Sequence, residues 1–137
     1  MEDALLTIWS GLPVFIVHSA VSLALLVAGL FLYIRITPHD ELALIRAGNT
    51  AAALSLGGAM IGLALPLAFS LAASVSFWDL LVWGVVGLIF QLAAFRLVDM
   101  VVKDLPRRIE AGEMGAAILL VSFKLATACI NAAAIAG

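Results

Sequence analysis

Long apolar stretches fill almost the whole sequence and constrain its fold more than any other feature. They cover residues 12–36, 48–73, 77–102 and 114–136. A helix needs roughly 20 apolar residues to cross about 30 Å of hydrocarbon, so each stretch is long enough for one crossing. Backbone polar groups inside a bilayer must be satisfied within the segment, which favours helices over strands. The sequence therefore predicts an all-α integral membrane protein with four transmembrane helices.

The composition agrees with lipid as the main solvent. Hydrophobic residues make up 65% and charged residues 12% of the chain, against roughly 45–50% and about 25% in soluble domains. The net charge of −2 argues against a nucleic-acid partner, because such a partner would require a basic face. We do not expect a cleaved signal peptide, since Glu2 and Asp3 are acidic and no Lys or Arg precedes Arg35.

The openings of the second and fourth stretches repeat each other. Asp40, Gly48 and an Ala pair recur as Asp104, Gly112 and an Ala pair at a spacing of about 64 residues. This pattern predicts two tandem helical hairpins in a single membrane domain, residues 1–137, with repeat 1 at about 12–73 and repeat 2 at about 77–136. The two glycines lie where each charged segment meets lipid depth, and we expect them to be packing sites or small kinks.

The charged segment before the second stretch carries a helix-start signal. Thr37 followed by Pro38 is typical of an N-cap with proline at the first helical position. Asp40 then falls in the first turn, where a carboxylate suits the positive end of the helix dipole. The sequence predicts that a helix begins at Pro38.

Basic residues cluster at one end of the predicted bundle, and the other end carries acidic residues. The positive-inside rule places the two basic loops in the cytoplasm and both termini outside, so the two hairpins enter from the same side and are parallel repeats. The basic set is Arg35, Arg46, Arg96, Lys103, Arg107 and Arg108.

Small residues distinguish the second and fourth stretches from the other two. Gly58 and Gly62 form a GxxxG pattern, and Ala128 and Ala132 recur at the same spacing. Small residues let helix backbones approach closely, which drives association in lipid. The second and fourth helices are therefore predicted to form the centre, although small-residue ladders are common in any multi-span protein.

Lys124 lies near the middle of the fourth stretch, where a lysine costs roughly 2.5–3.5 kcal/mol on insertion scales. No Asp or Glu is expected at the same depth. Gln91 is at a similar depth, and Asn131 and His18 lie further out, so the four side chains form a candidate polar track toward the outside. The alternatives are an uncharged amine, a partner across an oligomer interface, or a stem that reaches toward the membrane surface.

Alignment of the repeats places charges of opposite sign at equivalent positions. Arg35 aligns with Asp99, and Arg46 aligns with Glu110. Equivalent positions near a pseudo-two-fold axis lie close together, so these residues are candidate ion pairs across the halves at the cytoplasmic boundary. The local alternative pairs Asp99 with Arg96 or with the lysine four residues after it, on one helix face.

Residue patterns for catalysis are missing from the sequence. It has no phosphate-binding glycine loop, no His/Cys/Glu cluster with metal-ligand spacing and no nucleophile with a nearby base. No catalytic, cofactor or metal residues are therefore predicted, and an enzyme is the weakest functional class. Cys129 is interpreted as a small buried apolar residue.

The repeated openings and the duplicated two-span layout resemble the bacterial inner-membrane family known as domain of unknown function 350, the YjfL-like proteins. Members show Gly-Asn-x-Ala at both openings. Here residues 48–51 keep the motif with Asn49, and residues 112–115 depart from it with Glu113. The resemblance covers nearly the whole chain and implies a bacterial inner-membrane location with no established activity.

Two functions stay open. The first is a non-enzymatic, oligomeric structural or interaction module whose charged cytoplasmic loops dock a protein partner. The second is a component of a small-solute or ion transporter or channel that uses the polar track around Lys124. The first is favoured, because a single four-helix chain rarely encloses a pathway and no carboxylate is expected at mid-depth. The expected partners are the lipid bilayer, further copies of the chain and a cytoplasmic protein.

Overall fold

The protein is all-helical in the computed structural model, which describes the backbone of residues 1–137 and the side chains of residue 1 and residues 5–137. Glu2 and Asp3, which contribute to the predicted orientation, lie outside the described side chains. Within the described part, the helices are α1 Glu2–Ile36, α2 Glu41–Arg46, α3 Thr50–Ala73, α4 Phe77–Val101, α5 Asp104–Glu110 and α6 Met114–Ala136.

The long helices α1, α3, α4 and α6 are each long and apolar enough to cross a membrane. The prediction of an all-α membrane protein with these four crossings is confirmed. Helix α1 begins at Glu2 rather than at residue 12, because apolar residues such as Leu5 and Leu6 extend the first stretch toward the N-terminus.

Helix α2 begins later than predicted. Its N-cap is Asp40, whose Oδ1 accepts a hydrogen bond from the backbone N–H of Ala43 at 3.0 Å. Thr37 instead closes α1, with its hydroxyl donating to the carbonyl of Tyr33 at 2.7 Å. The predicted start at Pro38 is wrong, because Thr37 is extended, as a residue before proline tends to be, and its hydroxyl is engaged by the preceding helix.

The short helices α2 and α5 end in the same way. Gly48 and Gly112 follow them with φ of 88° and 83°, a left-handed conformation that favours glycine. In both turns, the glycine N–H donates to the carbonyl three residues earlier and the next N–H donates to the carbonyl five residues earlier, all at 2.9 Å. A Cβ added at either glycine would meet no atom within 4 Å. The two glycines therefore serve as turn residues, which differs from the predicted packing and kink roles.

Helices α3 and α6 pack against each other at the centre of the bundle, with α1 and α4 around them. Their facing sides are lined with small buried residues, among them Gly58, Gly62, Ala128 and Ala132. The approach is close: a Cβ added at Gly58 would lie 2.5 Å from a methyl carbon of Val121. Contacts of this kind hold helices together where lipid supplies no hydrophobic force.

Cys129 lies on the opposite side of α6 and is exposed from the bundle. The prediction that it is buried is wrong, because the α3–α6 contact uses the face that carries Ala128 and Ala132. In a bilayer, the face with Cys129 meets lipid or another chain.

Candidate functional site

Three buried side chains from three helices form a hydrogen-bonded chain inside the bundle. The Lys124 ammonium donates to the Tyr33 hydroxyl oxygen at 2.7 Å, and the Tyr33 hydroxyl donates to Glu41 Oε1 at 2.9 Å. Each of the three residues is 1% exposed. We call Lys124, Tyr33 and Glu41 the relay. It joins an ammonium and a carboxylate through a neutral hydroxyl.

The relay forms because four helices converge on one point. Tyr33 lies in the last turn of α1, and Glu41 is the first residue of α2, where the Asp40 cap fixes its direction. Ser55 of α3 donates a second hydrogen bond to Glu41 Oε1 at 2.9 Å. Lys124 lies about three turns into α6, and its stem reaches Tyr33 from there.

Aromatic rings surround the buried ammonium. The Lys124 nitrogen lies 4.6 Å from the centre of the Tyr33 ring and 5.4 Å from the centre of the Phe95 ring. The two rings meet edge to face, with centres 5.9 Å apart. A cation this close to aromatic faces is stabilised by their quadrupoles, which offsets part of the cost of its burial.

His39 lies next to the relay. Its Nε2 is 3.5 Å from Glu41 Oε1, which is close enough for an ion pair when the imidazole is protonated. Within the described structure, neither imidazole nitrogen forms a hydrogen bond, and neither does Glu41 Oε2. Buried polar atoms are usually satisfied, and those left without a partner tend to mark functional places.

Gln91 and Asn131 join α4 to α6 around the backbone of Lys124. Gln91 donates to the Lys124 carbonyl and to Thr127 Oγ1, both at 3.3 Å. Asn131 donates to Gln91 Oε1 at 3.1 Å. The side chains of Gln91, Thr127 and Asn131 all line an open cavity of about 300 Å³ between α4 and α6.

His18, the fourth residue of the predicted track, lies apart from this group. Its Nδ1 is 2.8 Å from the carbonyl of Val14 in the same helix. Lys124 also departs from the predicted track, since its ammonium points to Tyr33 at the basic end of the bundle rather than toward the outside. The structure thus brings together Gln91 and Asn131 and directs the lysine the other way.

The predicted ion pairs are not formed. Among the described side chains, ion pairs within 4.0 Å join His39 with Glu41 and Arg108 with Glu113. The Arg35 guanidinium lies over the Phe31 ring at 4.6 Å instead of reaching Asp99. Exposed ion pairs gain little in water because their charges are already solvated. The same reason applies to Arg46 with Glu110, which are both exposed. Arg96 and the half-buried Asp99 also form no ion pair within 4.0 Å.

Asn49 connects the two halves of the chain. Its side-chain amide donates to the carbonyls of Ile109 and Glu110 at 2.9 and 3.1 Å, where α5 ends. Its Oδ1 accepts from the N–H of Ala52 at 3.0 Å and caps α3. The equivalent residue, Glu113, is exposed and pairs with Arg108 at 2.7 Å. The asparagine therefore ties the halves together at one of the two equivalent places.

No group of three or more His, Cys, Asp or Glu side chains able to hold a metal ion occurs among the residues that the structure describes. The relay consists of three groups that can exchange protons: an ammonium, a phenol hydroxyl and a carboxylate.

Comparison with known proteins assigns the family. The sequence profile described as Domain of Unknown Function (DUF350) matches residues 7–135. The chain belongs to the DUF350 family. It is also 32% identical over 126 residues to the UPF0719 inner membrane protein YjfL of Escherichia coli (strain K12), a match that covers 92% of this chain and 96% of the relative. The YjfL protein of Escherichia coli O157:H7 matches with the same identity and coverage. No solved structure matches the chain significantly.

The connection of Lys124 with Glu41 in this DUF350 protein was not predicted from the sequence. Helix α2 directs Glu41 inward, and the long lysine side chain meets it through Tyr33. One signal could have identified Glu41. In the predicted repeat alignment its equivalent is Leu105, and an apolar residue there is a sign of an inward-facing position.

Proposed function

We propose that this DUF350 protein is a proton-handling component of a transport system in the bacterial inner membrane. The observation that carries the proposal is the relay: a lysine, a tyrosine and a glutamate, each 1% exposed, joined by hydrogen bonds of 2.7 and 2.9 Å. Ionisable side chains inside membrane segments are costly and usually mark ion or proton pathways.

Packing alone does not account for the charges. The other half of the chain has Leu105 where this half has Glu41, and Met60 where the fourth span has Lys124. Leu105 is buried at the start of α5, so an apolar residue suits that place in the turn. Replacing a buried ion pair with apolar residues of similar size is often neutral or stabilising. If Glu41 and Lys124 served only to stabilise the fold, apolar residues at these positions would do so at least as well.

The relay geometry suits proton transfer along its length. A proton passes from the Lys124 nitrogen to the Tyr33 oxygen, and the Tyr33 proton passes to Glu41 Oε1. The Lys124 N–H bond and the original Tyr33 O–H bond break, a new O–H bond forms on each acceptor, and the ammonium–carboxylate pair becomes an amine and a carboxylic acid. The two heavy-atom distances are those of good hydrogen bonds.

His39 extends this path toward the basic end. Its Nε2 lies 3.5 Å from Glu41 Oε1, and the residue is 9% exposed. An imidazole can both donate and accept a hydrogen bond through its two ring nitrogens, which makes it suitable for exchange between the relay and water. We propose that the basic end faces the cytoplasm, as the positive-inside rule predicts, with both termini on the other side.

Assembly of several copies is part of the proposal. Four helices that fill their own interior leave little room for a solute pathway, so a complete transporter would use surfaces between chains. Helix α1 offers such a surface, since Leu6 and Trp9 are 68% and 73% exposed. We also infer that the matching turns after α2 and α5 descend from a tandem duplication, with hairpins at about 12–73 and 77–136.

Proton flux into liposomes tests the proposed function. The purified protein is reconstituted with a pH-sensitive dye inside, and a potassium gradient with valinomycin supplies the driving potential. We expect flux from the wild type and at least a tenfold loss in Glu41→Leu/Lys124→Met, which carries the apolar residues of the other half. Glu113→Gln, which removes an exposed carboxylate, is the control and should keep the flux.

Wild-type liposomes that leak no faster than empty ones would overturn the transport proposal. The same holds if the double variant conducts as well as the wild type. Either result would leave the interaction module, in which the charged cytoplasmic loops dock a protein, as the better interpretation of the chain.

A further inference from the structure

A cavity of about 440 Å³ opens at the basic end of the bundle, and none of the three relay residues lines it. Its walls come from the last turns of α4 and from α5, with the loop before α2 at one side. The charged residues that line it are Arg96, Asp99, Lys103, Arg107 and Glu110.

The charges in this cavity are of mixed sign and unpaired. Three are basic and two are acidic, yet within the described part of the chain none of them forms an ion pair within 4.0 Å. Arg96 and Asp99 lie three residues apart on one side of the end of α4, and Lys103 lies in the junction between α4 and α5. Opposite charges that share a cavity without pairing are free to bind a ligand that carries both signs.

The depth of the cavity indicates what that ligand is. Arg96 is in the last turns of a membrane-spanning helix that ends at Val101, and Lys103 follows that end. This is the level of lipid head groups, where basic pockets between helices bind lipid phosphates. Pro38, Met100 and Pro106 add apolar wall for the glycerol end of a lipid.

We propose that this cavity binds the phosphoethanolamine head group of a membrane phospholipid. The phosphate takes hydrogen bonds from Arg96, Lys103 and Arg107, and the primary ammonium donates to Asp99 and Glu110. A purely anionic head group would leave both carboxylates facing negative charge, and a choline head group has no N–H to donate. The mixed charge of the cavity therefore selects an amine-bearing phospholipid.

Native mass spectrometry of the protein in detergent micelles tests the site. Short-chain phosphatidylethanolamine, phosphatidylglycerol and phosphatidylcholine are added separately, together with free phosphoethanolamine as a soluble probe. We expect phosphatidylethanolamine to bind roughly tenfold more tightly than the other two, as loss of a charge-assisted hydrogen bond would predict. Free phosphoethanolamine that binds as tightly as the lipid would overturn the assignment to a membrane lipid.

Single variants test the contacts to the phosphate and to the ammonium of the head group separately. Arg107→Gln and Lys103→Gln should each weaken binding of all three lipids, and Glu110→Gln should reduce the preference for phosphatidylethanolamine while leaving phosphatidylglycerol binding intact. Arg108→Gln is the matched control, because Arg108 is on the same helix and pairs with Glu113 instead of lining the cavity. Equal binding of the three lipids by the wild type, or variants that all behave as the control does, would overturn the proposal.

Discussion

Removing Lys124 alone should damage the fold more than removing the whole relay. In Lys124→Met, the methionine fills a similar volume, but the Glu41 carboxylate stays 1% exposed and loses the only ammonium that the hydrogen-bonded chain provides. Breaking a buried pair by removing one partner costs roughly 3–5 kcal/mol. We expect the free energy of unfolding to fall by that amount.

Removing the second charge should restore part of this loss. In Glu41→Leu/Lys124→Met, the Ser55 hydroxyl can rotate to a carbonyl of its own helix, and the Tyr33 hydroxyl is left buried without an acceptor. One unsatisfied hydroxyl costs roughly 1–3 kcal/mol. Adding Tyr33→Phe removes that group as well, so the triple variant should lie within about 1 kcal/mol of the wild type, as apolar replacements of buried ion pairs often do.

Unfolding in detergent micelles, followed by circular dichroism, measures this series. The expected order of stability is the wild type and the triple variant together, then the double variant, then Lys124→Met. Penalties that simply add, with the triple variant least stable, would refute the reasoning. They would show that the charges stabilise the bundle and that proton exchange is not needed to explain them.

Two further predictions concern the contact between the halves. Gly58→Val should destabilise the bundle by roughly 1–3 kcal/mol, because the new side chain meets Val121 at the α3–α6 contact; Gly57→Val, on an open face, is the control, and equal loss from both would count against close packing. Asn49→Ala should cost roughly 1–3 kcal/mol through the lost cap and the two lost bonds to α5. Asn49→Asp keeps the cap and loses the amide donors, so thermal unfolding of the two variants separates capping from the tie, and an Asn49→Asp variant as stable as the wild type would exclude the tie.

Hydropathy was sufficient to find the membrane-crossing helices, because crossing lengths and backbone satisfaction leave few choices. It also located Lys124, since a charge stands out in an apolar stretch. What it missed was the direction of side chains in the short segment between crossings. With a helix expected at Pro38, Glu41 falls in a solvated first turn; with Asp40 as the cap, the same glutamate points into the core.

The predicted ion pairs are not formed for a different reason, which is that alignment of the repeats does not give the distance between two residues. Equivalence under a repeat brings two positions near each other only when they lie close to the axis, and sequence spacing does not give that distance. Arg35 and Asp99 are equivalent in the alignment, yet the arginine rests on Phe31. Asn49 was identified as part of a motif, but its amide bonds to α5 depend on where that helix ends in space, which no local pattern encodes.

The order of synthesis determines when the relay can form. Tyr33 and Glu41 leave the ribosome early, and Lys124 follows 91 residues after Tyr33, in α6. Until α6 inserts, Glu41 has Tyr33, Ser55 and His39 beside it but lacks the ammonium of Lys124. A chain cut short before α6 would keep Glu41 without the ammonium of Lys124, so the relay forms only once α6 has joined the bundle.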